Sequence, residues 1–365
     1  MDPFAHTFAG AALAASGLRR VTPLATAALL IGVNAPDVDV VMMFAGDYMD
    51  LAHRRGLTHG IPALLILPFL VTALLLGWDR WVRRRLDPGA APIDPRGLLL
   101  VSAIAVISHP LLDWLNNYGM RWLMPFDGRW SYGDALFIID PVAWLGLGGA
   151  AFLAWSRHPA AIAVWAVFWV AASWLVFTND LVPDAARWLW LAGIALLLVV
   201  RLGLRRRCAG AADVARPAQL ALLGVGLYML ANVAANIPAR AEVRAVLAAQ
   251  GLDPVSEVMV APMAANPFRG FVVATTAQGY VSGSWHWLES PRFVPDERLI
   301  TPGLDNPVAV VAADVASARR FLSWARFPYA VVKSDATGHQ VRFGDARYPD
   351  RGPGGGPTVR VPGVP

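Results

Sequence analysis

The sequence predicts a mainly α-helical fold: a polytopic transmembrane bundle over residues 1–237, a small β-rich soluble domain over 238–350 and a disordered tail over 351–365. Three observations carry that prediction. Hydrophobic residues make up 56% of the chain and charged residues only 16%, where a soluble domain carries about 25%. Several apolar stretches approach the ~20 residues that a helix needs to cross a bilayer. Beyond residue 238 the composition turns to Pro, Gly and alternating apolar and polar positions. The mean hydropathy of +0.47 and the 15 tryptophans agree, since aromatic rings gather at membrane interfaces.

In chain order, two apolar stretches at 4–17 and 22–35 are short for spans and are expected to form a helical hairpin turning at Arg19-Arg20. The first basic residues follow the apolar stretch instead of preceding it, unlike a secretory leader, so residues 1–18 are expected to stay in the mature protein. Spans are expected at 61–78, 97–115, 136–155, 160–178, 185–204 and 217–237. Arginine clusters at 80–96, 157 and 201–216 fall between successive pairs of these spans. The positive-inside rule assigns those loops to the cytoplasm. His6, Asp37, Asp39, His53, His59 and Asp113 then all fall near the outer face, as does the β-rich domain. In that domain Phe271–Thr276 and Tyr280–Trp287 read as one hairpin, and Tyr329–Lys333 and Gln340–Phe343 as a second. The Gly- and Pro-rich end reads as disordered.

Composition also bounds the chemistry. The net charge of +5 comes mostly from arginines in short loops, a topology signal, so no nucleic-acid partner is expected. The single cysteine, Cys208, excludes an intrachain disulfide and a thiolate metal site. A metal would have to be held by His, Asp, Glu or Asn. No Gly-rich phosphate loop and no internal repeat is visible.

Three clusters of ionisable residues sit in this apolar sequence: Pro36-Asp37-Val38-Asp39, His53–His59 and His109–Asp113. Ionisable groups at membrane depth are expensive and mark function by default. His109 and Asp113 are spaced i, i+4, which puts both on one helix face within reach of one ion, and Asn117 extends the stripe. Pro110 between them is expected to kink this helix end. Asp37 and Asp39 alternate, so in an extended loop they would point the same way and a divalent cation would relieve their repulsion. The plain alternative is a loop capped by two solvated carboxylates. In the richest cluster His53 and His59 are candidate ligands, Gly56 allows a tight turn, and Thr58 is placed to cap the following helix. Arg54 and Arg55 match a phosphate or carboxylate, the plain alternative being a basic loop that meets lipid headgroups. His6 is a weaker ligand candidate. Asp140-Pro141 reads as a helix cap, and Asp134 as a ligand or a partner that supports one. His158, His286 and His339 receive no role.

The order of these motifs resembles a bacterial family of inner-membrane metal-dependent hydrolases, also described as LexA-binding. The motifs are an N-terminal His, Pro-Asp-x-Asp, His-Arg-Arg-Gly-x-Thr-His, the His109–Gly119 run, Pro125-Phe126 and an Asp-Pro before a span, within about residues 1–178. The resemblance implies a polytopic protein of the bacterial inner membrane that uses a divalent metal. A more distant resemblance links the chain to zinc-dependent phospholipase C and P1-type nucleases, whose ligand order is followed by His6, Asp37, His59, His109 and Asp113. The second His-x-x-x-Asp/Glu set of those enzymes is absent here, which implies one or two metals, zinc first and manganese second.

The resulting expectation is a membrane hydrolase that cleaves a phosphoester, lipid or lipid-linked, by metal-activated water at the outer face. His6, Asp37, His59, His109 and Asp113 would be ligands. Asp39 and His53 would bind or move protons, and Arg54 and Arg55 would hold the anion. Membrane lipids and an anionic substrate are the expected partners. A transporter built on the same groups, or a membrane scaffold acting through the β-rich domain, is the alternative. The spans 160–178 and 185–204 contain no His, Asp or Glu, which weighs against the transporter.

Overall fold

The fold is described from a computed structural model, over residues 1–180, 182–207, 214–264, 266–335, 338–348 and 355–362. Cys208 lies outside the described residues. The chain divides into two compact units. The first comprises Met1–Val38, Arg55–Ala234 and Met263–Pro267, and the second Asp39–Arg54, Ala235–Pro262 and Phe268–Pro365.

The helices are α1 (Pro3–Ala15), α2 (Ala25–Gly32), α3 (Met49–His53) and α4 (Ile61–Trp78), which continues through a π turn into α5 (Arg84–Leu86). There follow α6 (Pro95–Trp114), then α7 (Pro141–Ala143) joined by a π turn to α8 (Gly149–Trp155), then α9 (Pro159–Thr178), α10 (Asp184–Arg207) and α11 (Ala215–Ala249). Four of these begin alike: Asp2-Pro3, Asp94-Pro95, Asp140-Pro141 and His158-Pro159 each place a side-chain acceptor at the cap and proline at the first helical position. The cap satisfies backbone N–H groups that have no intrahelical partner, and proline loses nothing there because its N–H is missing. The expected role of Asp140-Pro141 is thus observed.

Among the described residues, six helical segments are long and apolar enough to cross a membrane: Ala25–Ala45, Ile61–Leu86, Pro95–Trp114, Pro159–Thr178, Asp184–Leu204 and Ala215–Ala249. Most of their apolar surface is exposed, as on α4 at Leu65, Phe69, Leu70 and Leu74. In water such faces would form large apolar patches, whereas a bilayer is their natural solvent. Two expectations are corrected. The stretch at 136–155 is helical only over Pro141–Trp155, because the Asp140-Pro141 start leaves the preceding residues in an irregular loop. The stretch at 22–35 instead continues as 3₁₀ turns over Ala35–Ala45, so Ala25–Ala45 is long enough to span.

In the first unit α1, α2 and α6 pack closely at small residues. A Cβ on Gly10 would lie 2.7 Å from Val33 Cγ2, and one on Gly32 would lie 2.6 Å from Ala105 Cβ. Only glycine lets these backbones approach so far, and the approach brings α2's end to the site on α6.

The second unit holds a four-stranded antiparallel sheet, β1 (Glu257–Met263), β2 (Asn266–Thr276), β3 (Gly279–His286) and β4 (Phe293–Ile300), in the order β1-β2-β3-β4. Helices α12 (Pro307–Ala313) and α13 (Ala316–Trp324) precede a three-stranded sheet of β5 (Pro328–Asp335), β6 (Gly338–Asp345) and β7 (Gly355–Pro362). Both expected hairpins are present, β2 with β3 and β5 with β6. The tail is a correction: Gly355–Pro362 is not disordered but pairs with β6, through Val359 opposite Val341 and Val361 opposite His339. Its alternating Thr-Val-Arg-Val pattern fits a half-buried strand, which the surrounding glycines and prolines obscured. Residues 351–354 and 363–365 lie outside the described residues. Within this unit Tyr48 packs edge-on to Phe321, ring centroids 6.0 Å apart, and Arg320 donates to the Asp47 carbonyl at 3.1 Å.

Candidate metal centre

Asp37, His59, His109 and Asp113 each offer one ligand atom, and these atoms all lie within 4.8 Å of one another. Each is delivered differently. His109 and Asp113 stand one turn apart on α6, as the i, i+4 spacing predicted, and the helix runs on through Pro110 to Trp114. Asp37 lies in the 3₁₀ turns that follow α2. His59 lies in the turn before α4, which is tied down by His59 N–H to the Gly56 carbonyl at 3.1 Å and Ile61 N–H to the Trp122 carbonyl at 2.8 Å.

The ring of His109 is fixed by its Nδ1, which donates to the Val33 carbonyl at 2.6 Å. A carbonyl only accepts, so Nδ1 carries the proton and Nε2 presents a lone pair. That Nε2 lies 3.1 Å from His59 Nε2. Asp113 Oδ2 is 3.4 Å from both imidazole nitrogens, and Asp37 Oδ1 is 3.7 Å from both. Asp113 Oδ2 is buried and has no hydrogen-bond donor. A buried carboxylate oxygen left in this way is costly unless a cation satisfies it. Tetrahedral bonds of about 2.0–2.2 Å would set ligand atoms roughly 3.3–3.6 Å apart, close to the separations seen. The donor set therefore fits a divalent ion.

The remaining expected residues separate into two groups. His6 sits beside the quartet: its Nε2 is 3.1 Å from Asp113 Oδ1, and its ring stacks on His109 at 3.8 Å. Burial, helped by the nearby Met1 amine and His109, pushes the His6 imidazole down to about 3, so it is neutral and available as a ligand or support. The guanidinium of Arg55, expected to meet an anionic oxygen, meets protein groups: Nη2 donates to Asp113 Oδ1 at 2.8 Å and Nη1 to Asn116 Oδ1 at 2.9 Å. Its Cζ also stands 4.6 Å over the Tyr118 ring. The amino group of Met1 bonds the same Asp113 oxygen. Asp39, His53 and Arg54 belong to the second unit, where His53 is exposed and turns Nδ1 to the Met49 carbonyl at 2.9 Å. Asp37 and Asp39 do not share an extended segment. In 3₁₀ turns of about three residues, positions i and i+2 point apart.

Three local expectations change. The left-handed residue of the turn is Arg55, at φ 52°, and not Gly56. This strain persists because the buried bonds of Arg55 fix its position. Thr58 caps no helix, since Gly60 is the cap of α4. Instead Thr58 Oγ1 lies 3.0 Å from His59 Nδ1 and orients that ring. Asn117 falls beyond the end of α6, and Asn116 takes the place meant for it, fully buried and bonded to Arg55. Asp134 is buried in the left-handed conformation, at φ 51°. Residues that orient a ligand are worth about 10–100-fold in metal affinity. Thr58→Val is accordingly expected to weaken binding of a divalent ion by about that factor with little loss of fold, checked by competition with a chelating dye.

Residues 1–181, about half of the chain, match the family model described as YdjM inner membrane protein. Over those residues the chain belongs to the YdjM inner membrane protein family. All four residues of the quartet, with His6 and Arg55, fall inside the YdjM region. The protein is thus a multi-pass membrane protein of an inner-membrane family. A curated relative, the uncharacterized protein YfhP of Bacillus subtilis (strain 168), is 28% identical over 175 residues, 45% of this chain and 46% of the relative. The match thus spans less than half of the relative's length. No solved structure matches the chain. The likeness to phospholipase C and P1-type nucleases rests on motif order alone.

Proposed function

We propose that this YdjM-family protein is a metal-dependent hydrolase that cleaves a phosphoester at a membrane surface. The observation that supports the reading best is the quartet itself, in which a buried Asp113 Oδ2 and the Nε2 of His109 converge with His59 and Asp37 within 4.8 Å. A divalent ion bound there would supply Lewis acidity, making a water nucleophilic at neutral pH and drawing charge from an ester oxygen. Zinc suits such a His and carboxylate set best, with manganese second.

The protein groups divide the remaining work. Asp113 and His109 are fully buried and rigidly held by Arg55 and the Val33 carbonyl, so they fix the position of the centre. The Asp37 side chain keeps 17% exposure while the other three are at 0–1%, which makes the Asp37 side the route for water and substrate. Arginine bias argues that this side faces outward. The His6 ring, stacked on His109 at 3.8 Å, steadies that imidazole.

The reading is tested on detergent-purified protein loaded with zinc or manganese, against a panel of phosphomonoesters and phosphodiesters. Turnover is expected for at least one class, and Asp37→Asn is expected to lower it by more than about 100-fold, beyond what residues that merely orient ligands contribute. Metal-loaded wild type that turns over none of them, or turnover that Asp37→Asn leaves intact, would sink the proposal.

A further inference from the structure

An apolar cleft of about 440 Å³ opens in the first unit between α1, α6 and α11. Small-molecule sites run from roughly 300 to 1,000 Å³. The two side chains on its wall with hydrogen-bonding groups are already satisfied. Ser108 Oγ donates to the Ala105 carbonyl at 2.8 Å, and Trp114 Nε1 donates to Ser131 Oγ at 2.9 Å. The cleft therefore presents hydrocarbon and no polar anchor. A sugar or a nucleotide would lose its water there without compensation, whereas an alkyl chain loses nothing.

Two of its walls are the helices that carry the metal centre. On α1, Ala9 and Leu13 follow His6 at i+3 and i+7, so they continue the His6 face. On α6, Ser108 and Leu112 immediately precede His109 and Asp113. One helical turn is about 5.4 Å, so the apolar wall begins about one turn from the ionic groups. A molecule with an anionic ester at one end and a hydrocarbon chain at the other would satisfy both places at once.

We infer that this cleft holds the hydrocarbon chain of the substrate, and that the substrate is therefore an anionic lipid phosphoester. The inference rests on the hydrolase reading above. A bilayer lipid that merely fills a gap would show no preference for its headgroup, and that difference separates the two cases.

Gly226 lines the cleft on α11, and a Cβ there would meet nothing within 4 Å. Gly226→Phe can therefore fill the space without striking backbone. Gly224→Phe places the same ring on the same helix, also in open space, outside the lining residues, and serves as control. The full chain in nanodiscs is photolabelled with phosphatidic acid carrying a diazirine in its acyl chain, and in parallel with diacylglycerol carrying the same chain. Phosphatidic acid is expected to label peptides containing Leu112, Val225 or Met229 at least about tenfold more than diacylglycerol, since the two probes share the acyl chain and only the phosphate can meet the ionic groups. Gly226→Phe is expected to lose that labelling and Gly224→Phe to keep it. Equal labelling by the two probes overturns the inference whatever the variants do, and so does labelling that survives Gly226→Phe in protein that retains its metal. Hydrolysis is read separately. Gly226→Phe should raise KM for a long-chain phosphoester by about tenfold, and Gly224→Phe, outside the lining, should leave it unchanged. Headgroup-dependent labelling in a protein that hydrolyses no phosphoester would leave the lipid site standing and remove the hydrolase reading.

Discussion

Replacing both imidazoles, as His59→Gln/His109→Gln, is expected to abolish divalent-metal binding while leaving the protein folded. Elemental analysis of the detergent-purified wild type should give near-stoichiometric metal, and the double variant should give background. Glutamine carries no charge, so the substitution leaves no new buried charge. Two of the four converging donors are removed, and the two carboxylates that remain make up only half of a tetrahedral ligand set. A ligand that binds only the folded state stabilises it by about 4 kcal/mol at 1,000 times its dissociation constant. A chelator should therefore lower the Tm of the wild type and leave that of the double variant unchanged. Folded wild type that binds no metal, or a double variant that binds as well as the wild type, would rule out the centre.

The second large effect is expected at Arg55. Its guanidinium holds Asp113 Oδ1 and Asn116 Oδ1 inside the protein, with the Arg55 side chain 6% exposed and that of Asp113 1% exposed. Breaking a buried ion pair from one side costs about 3–5 kcal/mol, because the surviving charge stays buried. Arg55→Met should lower the Tm accordingly and weaken metal binding with it, since Asp113 loses the group that orients it. Arg55→Lys should recover little. An ammonium cannot reproduce the planar fork that bonds two acceptors and stacks on Tyr118. A variant with unchanged Tm and unchanged metal affinity would show that Arg55 is a bystander. The comparison also separates the two roles considered for this residue, because an anion-binding arginine would affect KM and leave stability alone.

Much of the site was legible because its residue types are costly where they stand. His109 and Asp113 declare themselves by helical spacing inside an apolar run. His59 and Asp37 are ionisable groups beside spans. The supporting groups left weaker traces. The Val33 carbonyl fixes the His109 tautomer, but a backbone carbonyl carries no sequence signal. Asn116 was one position from the residue favoured by the periodic pattern, since α6 ends at Trp114 and the chain turns. Thr58 showed the composition of a helix cap and serves as a ring support, because the helix starts at Ile61. Asp39 and His53, each two positions from a quartet residue or Arg55 in sequence, belong to the second unit.

By itself the sequence determined the membrane setting, the helical class and the β-rich second unit, and it placed the four residues of the quartet among a longer set of candidates. These follow from hydropathy, periodicity and the cost of burying charge, which are properties of short segments. Only the tertiary structure decided that Arg55 holds Asp113, that Gly355–Pro362 is a strand, and that an apolar cleft continues the face of the site. Each of those depends on which distant segment arrives alongside. A guanidinium, a Gly-rich strand and a stripe of leucines are ambiguous until the partner that satisfies them is in place.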